Sequence, residues 1–275
     1  MTSAEYAVFG LDAKRAVVTG AAQGFGAAIA CRLYQAGVHV IVADRRLENA
    51  REFAHSLADT AAGSTQAAHV DVADEDSVRA LFDAHDPVDI LVNNAGVFSN
   101  FMAVDLSVEE FDRVYSVNVR GTFLCSREFA RRAALHPRPG QTIINIASVD
   151  ALAPSCQGQV HYTASKHAIA GLTKALSTEL APKGIRVNAV CPGASMTEGA
   201  VAFVQSGAPQ GIDLAAQWNG IAARTPMGRL IDPGDVADAV LFLASCLARS
   251  ITGVLLAVDA GILSQPLEGY ARGRS

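Results

Sequence analysis

The sequence has few charged residues, and neither sign of charge is in large excess. Charged residues make up 18% of the 275 residues, with 22 lysines and arginines against 27 aspartates and glutamates. Proteins that bind nucleic acid cluster their lysines and arginines against phosphates, so the net charge of −5 disfavours nucleic acid as a partner. Apolar residues make up 50% of the chain, which is enough for a large buried core and argues against disorder.

Paired cysteines, metal-ligand clusters and long apolar runs are also missing. None of the five cysteines stands in a CxxC pair or in a Cys/His cluster, so we predict no disulfide framework and no metal site. No run approaches the roughly 18 apolar residues of a membrane span, and the first residues show no basic head before an apolar stretch. We therefore expect a cytoplasmic globular protein without a membrane partner. The cysteines are Cys31, Cys125, Cys156, Cys191 and Cys246.

Two kinds of segment alternate along the chain, short β-branched runs and longer stretches with an apolar residue every three or four positions. Near-continuous apolar strands separated by helices indicate parallel pairing, with crossover helices on both faces of the sheet. We predict a single α/β domain over residues 1–275, a Rossmann-like, doubly wound, seven-stranded parallel sheet. The predicted strands are Ala16–Val18, Val38–Ala43, Ala67–Val70, Ile90–Val92, Thr142–Ile146, Ile185–Val190 and Val254–Val258. The predicted helices are Ala27–Gln35, Leu47–Leu57, Val78–Ala84, Phe111–Leu135, Ala164–Leu180 and Val236–Leu247.

One long interval, Ala194–Arg229, interrupts this alternation. Loops of such length in compact domains often serve as lids or binding loops, so we expect this segment to close over a substrate. Apolar spacing at Ala200–Val204 and Leu214–Ile221 predicts two short helices within it. The tail after Leu263 shows no pattern.

A glycine-rich turn, TGAAQGFG at residues 19–26, joins the first predicted strand to a helix. Gly20, Gly24 and Gly26 permit a tight turn and let a pyrophosphate approach the backbone, while the following helix offers free N–H groups to an anion. The spacing differs from the G-x-G-x-x-G dinucleotide fingerprint. By itself the turn is therefore compatible with a plain structural turn.

Polar residues follow three further predicted strands and favour a dinucleotide. Asp44 follows the second strand, where a carboxylate accepts hydrogen bonds from an adenosine ribose and repels a 2′-phosphate. This favours NAD over NADP, although Arg45 and Arg46 offer guanidinium groups to a phosphate. The third and fourth strands are followed by Asp71-Val72 and by Asn93-Asn94-Ala95-Gly96.

Tyr162 and Lys166 are four positions apart in a helical pattern, which places them on one helix face. An ammonium about 4 Å from a phenol lowers the phenol pKa by roughly three, to near neutrality, so the pair suits proton transfer. Ser148, after the fifth strand, would hold a substrate oxygen. Asn118 lies inside a helical pattern, where asparagine is unfavourable, and would bend the helix or bind a water.

These residues together resemble the classical short-chain dehydrogenase/reductase family. The resemblance extends from Lys14 to about Leu263. Its motifs are TGAAQGFG at 19–26, Asp44, Asp71-Val72, NNAG at 93–96, Asn118, Ser148, YTASK at 162–166 and PGASMT at 192–197.

The resemblance implies a catalytic tetrad that moves a hydride between nicotinamide and a carbon without a metal. In that tetrad Asn118 holds a water and Ser148 binds the substrate oxygen. Tyr162 is the general acid/base, and Lys166 binds the nicotinamide ribose and lowers the tyrosine pKa. Family members are commonly tetramers, so we expect a homotetramer. The predicted cofactor contacts are Gly20, Gln23, Gly24, Phe25, Gly26, Asp44, Arg45, Asp71, Val72, Asn94, Ala95, Gly96, Tyr162, Lys166, Pro192, Gly193, Ser195 and Thr197.

Two alternatives to an NAD-dependent dehydrogenase stay open. An NADPH-dependent ketone or 3-oxoacyl reductase would carry a basic residue in place of Asp44 or within the glycine turn, where this chain has Ala21-Ala22-Gln23. A non-catalytic nucleotide-binding regulator would lack at least one of Ser148, Tyr162 and Lys166, and all three are present.

The side chains near Ser148 and Tyr162 indicate the substrate class. Ser148 itself is one of the candidate substrate contacts. Polar residues there favour a polyol or sugar derivative, although a loop that faces water explains the same polarity. Ser148 and Tyr162 are 14 positions apart, one more than the commonest family spacing, so we expect Pro154–His161 to bulge. The further candidate substrate contacts are Asp150, Gln157, His161 and, in the predicted lid, Trp218.

Overall fold

The computed structural model describes residues 3–57, 63–207 and 213–265. Seven strands form one sheet in the order β3-β2-β1-β4-β5-β6-β7, and every pair is parallel. This confirms the predicted doubly wound, seven-stranded architecture. The strands are β1 (Arg15–Thr19), β2 (His39–Asp44), β3 (Ser64–His69), β4 (Ile90–Asn93), β5 (Thr142–Ile146), β6 (Arg186–Pro192) and β7 (Leu255–Val258).

Most helices begin a few residues earlier than the apolar pattern predicts, because the first turn needs a cap rather than a buried face. Asp74 caps one such helix by accepting from the backbone N–H of Asp76, and Asp232 and Asp235 form a capping box on another. The helices are α1 (Ser3–Tyr6), α2 (Gly24–Gln35), α3 (Leu47–Leu57), α4 (Glu75–His85), α5 (Val108–Tyr115), α6 (Thr122–Leu135), α7 (Val160–Leu180), α8 (Glu198–Gly207), α9 (Leu214–Ala223) and α10 (Pro233–Ala244).

Alternate side chains of each strand feed two cores, one on either face of the sheet. Val18 packs with Ile29 of α2 and Val240 of α10, whereas the adjacent Val17 packs with Phe82 of α4 and Phe129 of α6. Because successive side chains of a strand point to opposite faces, a strand covered on both sides must be apolar throughout. The continuous apolar runs in the sequence have this origin.

The helix predicted over Phe111–Leu135 is interrupted. A π-helical segment, Ser116–Gly121, separates α5 from α6 and carries Asn118. Such segments are rare and often lie at functional sites, where they redirect a side chain. Here the widened turn is supported by the Thr122 hydroxyl, which donates to the Asn118 carbonyl at 2.7 Å.

The interval Ala194–Arg229 contains α8 and α9, in agreement with the two predicted short helices. Trp218 is buried, with 6% of its surface exposed. Residues 208–212 of this interval and the tail beyond 265 lie outside the described residues. Closure of the interval over a substrate stays a prediction. Among the residues that the structure describes, no helix is long and apolar enough to cross a membrane.

Candidate active site

The predicted cofactor residues gather where the carboxyl ends of β1 and β4 lie side by side. The chain order reverses between these two strands, and open α/β sheets bind ligands at such switch points. Thr19 at the end of β1 accepts hydrogen bonds at its Oγ1 from the backbone N–H groups of Asn94 and Ala95, both at 3.1 Å. In return, Asn94 Nδ2 donates to the carbonyls of Thr19 and Gly20, both at 2.9 Å. The two strand ends are therefore cross-linked directly.

This cross-link leaves no room for a side chain at Gly20 or Gly26 of the glycine turn. Gly20 has φ +62°, and a Cβ there would lie 2.8 Å from the Cα of Ala95. A Cβ on Gly26 would overlap the carbonyl oxygen of Gly20 and lie 2.5 Å from Asn94 Nδ2. Gly24 has φ +57°, which disfavours any residue with a side chain. The turn thus leaves bare backbone facing the cleft.

Helix α2 starts within this turn and presents its amino end to the cleft. Gln23 occupies the N-cap position in an extended conformation, and its side chain makes no capping hydrogen bond. Phe25 follows in the first turn and packs against one of the two cores. Free N–H groups beside bare backbone are the features that bind a pyrophosphate, so the turn fits a dinucleotide.

Asp44 at the end of β2 is buried beside the glycine turn. Its carboxylate accepts from the backbone N–H of Ala22 at 3.2 Å and from that of Arg46 at 2.9 Å. A carboxylate has about four lone-pair positions, so acceptor capacity is left for ribose hydroxyls. Arg45 and Arg46 are both exposed, and Arg46 places its Nε 3.7 Å from Asp44. Arg46 is thus the arginine that partly balances the Asp44 charge.

Asp71 and Val72 follow β3 at the same edge. Asp71 accepts from the backbone N–H of Ala73 at 3.0 Å. Val72 is buried against the π segment, where a Cβ on Gly121 would lie 2.7 Å from its Cγ2. Val72 therefore couples the end of β3 to the segment that carries Asn118.

The residues after β6 face the glycine turn from the other side of the cleft. The backbone at Pro192-Gly193 passes so close to Asp259 that a Cβ on Gly193 would lie 2.9 Å from the Asp259 Cα. Thr197 is near enough to the turn that a Cβ on Gly24 would contact it at 3.4 Å. Ser195 is buried, and its Oγ has no protein partner, so it is available to a polar ligand group.

Tyr162 and Lys166 lie one turn apart on α7, as their spacing predicts. Lys166 Nζ donates to the carbonyl of Ile146 at 3.0 Å and lies 5.4 Å from the centre of the Tyr162 ring. The ring of Phe98 packs edge-on against Tyr162 with ring centres 5.7 Å apart. The sequence reasoning missed Phe98, because an aromatic residue in a loop carries no signal of its own.

Burial dominates the electrostatics of this pair. It lowers the pKa of Lys166 to about 8 and raises the pKa of Tyr162 above its usual value. A hydrogen bond with Ser148 lowers the pKa of the tyrosine, and the charge of Asp150 raises it. Spacing alone suggested an ammonium about 4 Å away and a phenol near neutrality. That expectation is wrong, because burial has the largest influence on this phenol and disfavours its ionised form.

Asn118 is fully buried, and its side chain holds two elements together. Its Oδ1 accepts from the backbone N–H of Val97 at 2.8 Å. Its Nδ2 donates to the Val97 carbonyl at 2.9 Å and to Ser165 Oγ at 3.1 Å. The amide thus joins the loop after β4 to α7, and its role in holding a water stays a prediction.

Comparison with known proteins decides the family. Residues 20–263 match the family model described as Enoyl-(Acyl carrier protein) reductase. The chain is 36% identical over 253 residues to 3-oxoacyl-[acyl-carrier-protein] reductase FabG of Rickettsia conorii, across 92% of this chain and 98% of that protein. It is 36% identical over 261 residues to D-threitol dehydrogenase of Mycolicibacterium smegmatis, across 92% and 94% of the two chains. This protein belongs to the classical short-chain dehydrogenase/reductase family.

A solved structure of the same family supports the assignment. A crystal structure described as a 2-deoxy-D-gluconate 3-dehydrogenase from Agrobacterium tumefaciens, with bound NADP, superposes with a TM-score of 0.82 at 35% identity. The superposition covers 94% of this chain and 99% of that one. The chain is therefore an oxidoreductase of nucleotide-linked alcohol and ketone chemistry, and the choice between NAD and NADP lies beyond these likenesses.

The candidate substrate contacts of this short-chain dehydrogenase/reductase differ in their exposure to solvent. Gln157 is exposed and Trp218 is buried. His161 is fully buried, and its Nε2 lies 2.8 Å from Ser99 Oγ, which in turn donates to Glu110 at 2.5 Å. His161 therefore joins this polar cluster through Nε2, while its Nδ1 has no protein partner, and its contact with substrate stays a prediction.

Asp150 is also enclosed by protein, and its contact with substrate stays a prediction. Its carboxylate is 3% exposed and accepts hydrogen bonds from Ser148, Ser155 and Thr163, so it faces protein donors and not open space. The expected extra length before α7 includes Gly158 at φ +79°, whose carbonyl accepts from the backbone N–H of Phe101 at 2.9 Å. Among the described residues, no group of three or more His, Cys, Asp or Glu side chains could hold a metal ion.

Replacing Gly26 with alanine tests the glycine turn. Gly26→Ala places a methyl group on the Gly20 carbonyl oxygen, so we expect loss of measurable nucleotide binding and a lower melting temperature. Gly171→Ala on α7 is the matched control, because nothing lies within 4 Å of a Cβ there and alanine favours a helix by about 1 kcal/mol. Calorimetric titration with NAD and thermal melts measure both variants. Normal nucleotide binding by Gly26→Ala would contradict the geometry described.

Proposed function

We propose that this protein is an NAD-dependent dehydrogenase that transfers a hydride between nicotinamide and a secondary alcohol or ketone, with a polyol or sugar derivative as the alcohol. The observation that carries the proposal is that Lys166, beside Tyr162 on α7, lies against the loop that binds the glycine turn. Its Nζ is 3.8 Å from the Cβ position of Gly96, and Asn94 of the same loop donates to the Gly20 carbonyl. One cleft thus contains a group that can exchange a proton, a hydroxyl and a cation next to a dinucleotide cradle. A non-catalytic regulator would have no need of the first three.

Each side chain has a distinct part in the proposed reaction. Tyr162 Oη takes the proton of the substrate hydroxyl in oxidation and returns it in reduction. Ser148 positions the substrate oxygen beside Tyr162. Lys166 keeps an ammonium beside the phenol while its bond to the Ile146 carbonyl fixes its direction, which leaves other N–H donors for a ribose hydroxyl. NAD, when bound, accepts the hydride.

The preference for NAD rests on the charge at the end of β2. Asp44 is 6% exposed and lies against the glycine turn through its bond from Ala22. A 2′-phosphate on the ribose would approach this carboxylate and be repelled, whereas ribose hydroxyls would donate to it. Arg46 balances the charge only in part from the exposed side.

Fewer observations support a polyol substrate than support the preference for NAD. Asp150 and His161 are hydrogen-bonded within the protein, Gln157 is an exposed polar candidate contact, and the likeness to D-threitol dehydrogenase supports the class. The likeness to FabG supports the second candidate, an NADPH-dependent 3-oxoacyl reductase. A panel of polyols, sugars and 3-oxoacyl thioesters, assayed with both cofactors, separates the two. We also propose a homotetramer, from the family resemblance, and a cytoplasmic location, which the likeness to FabG supports.

Replacing Tyr162 with phenylalanine tests the proposed acid/base. The change removes one oxygen, so nucleotide binding should persist while kcat falls by about 10²–10⁴, the usual size of an acid–base contribution. Tyr115→Phe is the matched control, because Tyr115 is stacked on Phe111 at 4.6 Å and lies outside the proposed tetrad. Steady-state kinetics and titration with NAD measure both. Retention of more than half the activity by Tyr162→Phe would refute the proposed role.

Replacing Asp44 with alanine tests the cofactor preference. Loss of the carboxylate removes an acceptor for the ribose and the repulsion of a 2′-phosphate. The ratio of kcat/KM for NAD to that for NADP should fall at least tenfold, or about 1.4 kcal/mol. Asp71→Ala is the control, because it removes a carboxylate that follows β3 and leaves Asp44 at the end of β2 in place, so this ratio should stay unchanged. A parent enzyme that already prefers NADP would contradict the interpretation of Asp44.

A further inference from the structure

Asp150 is a buried carboxylate that the proposed reaction does not use. Its Oδ2 accepts from Ser148 Oγ at 3.2 Å and from Ser155 Oγ at 2.7 Å. Its Oδ1 accepts from the backbone N–H of Ser155 at 3.0 Å and from Thr163 Oγ1 at 2.9 Å. Four donors therefore converge on one carboxylate, which suits an ionised group well.

Ser148 has a single hydroxyl proton, and its Oγ donates that proton in a hydrogen bond to Asp150 Oδ2. The Ser148 oxygen also accepts from the backbone N–H of Asp150 at 3.1 Å. The Ser148 hydroxyl also acts on Tyr162, and its hydrogen bond to that phenol lowers the tyrosine pKa. A Ser148 proton directed to Asp150 is not available to Tyr162, so Asp150 opposes that effect. The three groups form a chain in which the phenol and the carboxylate compete for the single Ser148 proton.

Ionisation of Tyr162 would strengthen this competition. A tyrosinate oxygen needs the Ser148 proton as a donor, but Asp150 competes for the same proton and repels the new negative charge. The other titratable groups that face Tyr162 are Lys166, at 5.4 Å from its ring, and Cys156, and Cys191 lies beside Lys166. Of these groups, Lys166 favours the tyrosinate and Asp150 opposes it.

We propose that Asp150 is a positioning residue that holds the Ser148 proton away from Tyr162 and thereby keeps Tyr162 protonated. The proposal rests on the proposed function for its relevance to turnover, but not for its physical basis. Asp150 also fixes the orientation of the Ser148 hydroxyl, because Ser148 then presents its oxygen lone pairs to the substrate. Lone pairs accept the hydroxyl proton of an alcohol, whereas a ketone oxygen would find one donor, Tyr162, instead of two.

Asparagine at this position should turn the Ser148 hydroxyl around. Oδ1 accepts from a backbone N–H that cannot rotate, so the amide oxygen of Asp150→Asn must stay on that side. The amide nitrogen then replaces Oδ2 and donates to the hydroxyls of Ser148 and Ser155, which are free to rotate. The Ser148 proton is released toward Tyr162, and the negative charge is gone.

The test is a titration that needs neither substrate nor cofactor. A fluorinated tyrosine, whose phenol ionises nearer neutrality, is incorporated at position 162 alone and followed by fluorine NMR against pH. We expect its pKa to fall by at least about one in Asp150→Asn, the size of effect that a neighbouring charge produces. An unchanged or higher pKa would overturn the proposal. If Asp150→Asn does not fold, Asp150→Ser is titrated in the same way, with the same expected direction.

Thr163→Val distinguishes the effect of the Asp150 charge from the effect of the hydrogen bonds by which Asp150 stabilises the loop before α7. It removes one of the four hydrogen bonds but keeps the carboxylate and its bond from Ser148, so the pKa at position 162 should match that of the parent chain. A fall as large as in Asp150→Asn would show that loosening of the loop is the cause, and would overturn the proposal.

The pH profile of alcohol oxidation gives the second readout. Because oxidation needs unprotonated Tyr162, the acidic limb of kcat/KM should move to lower pH in Asp150→Asn. If the NMR titration moves while Tyr162→Phe stays active, the proposed function fails and the role of Asp150 stands. If Tyr162→Phe is inactive while the titration does not move, the role of Asp150 fails and the proposed function stands.

Discussion

The close approach of β1 and β4 is the constraint on which the rest of the site depends. Thr19 and Asn94 bind each other's backbone at the carboxyl ends of these strands, so the chain after β1 turns away with the loop after β4 directly against it. Side chains are excluded at Gly20 and Gly26 for that reason. The bare turn, the free amino end of α2 and the position of Asp44 beside Ala22 all follow from this contact. A nucleotide cradle is thus a consequence of how two central strands meet.

A second constraint is that Tyr162 and Lys166 are buried away from solvent. Burial raises the pKa of Tyr162 and lowers that of Lys166, so each group is shifted toward its neutral form. In such surroundings the balance between protonated and ionised tyrosine is decided by its immediate neighbours, because nearby charges act strongly where water is excluded. Lys166 and Asp150 act in opposite directions on one phenol. Ser148, with its single proton, links the phenol to the carboxylate.

Local patterns were sufficient to predict the sheet, most helices and the residues that meet at the cleft. Apolar runs identify strands buried on both faces, and Tyr162 and Lys166 share a face because of helix geometry alone. The π segment could not be predicted in this way, since it depends on Asn118 bonding to Val97 and Ser165, which are distant in sequence.

The orientation of polar side chains in loops is the other feature that the sequence does not predict. A polar residue in a loop has the same sequence signal whether it faces water or buried donors. The sequence therefore predicts Asp150 and His161 as substrate contacts, whereas the structure shows each of them hydrogen-bonded within a polar cluster of the protein. The prediction of a near-neutral pKa for Tyr162 is wrong for a related reason. The proximity of Lys166 can be inferred from the spacing of the two residues, but the depth at which Tyr162 is buried cannot.

The central claim is that hydride passes directly between a substrate carbon and nicotinamide in this cleft. The most direct measurement uses an alcohol from the substrate panel, deuterated at its carbinol carbon, with NAD and mass spectrometry of the reduced nucleotide. Direct transfer predicts one deuterium in the reduced nicotinamide at each turnover, with none released to solvent. Reduced nucleotide without deuterium, or deuterium recovered in water, would contradict the account.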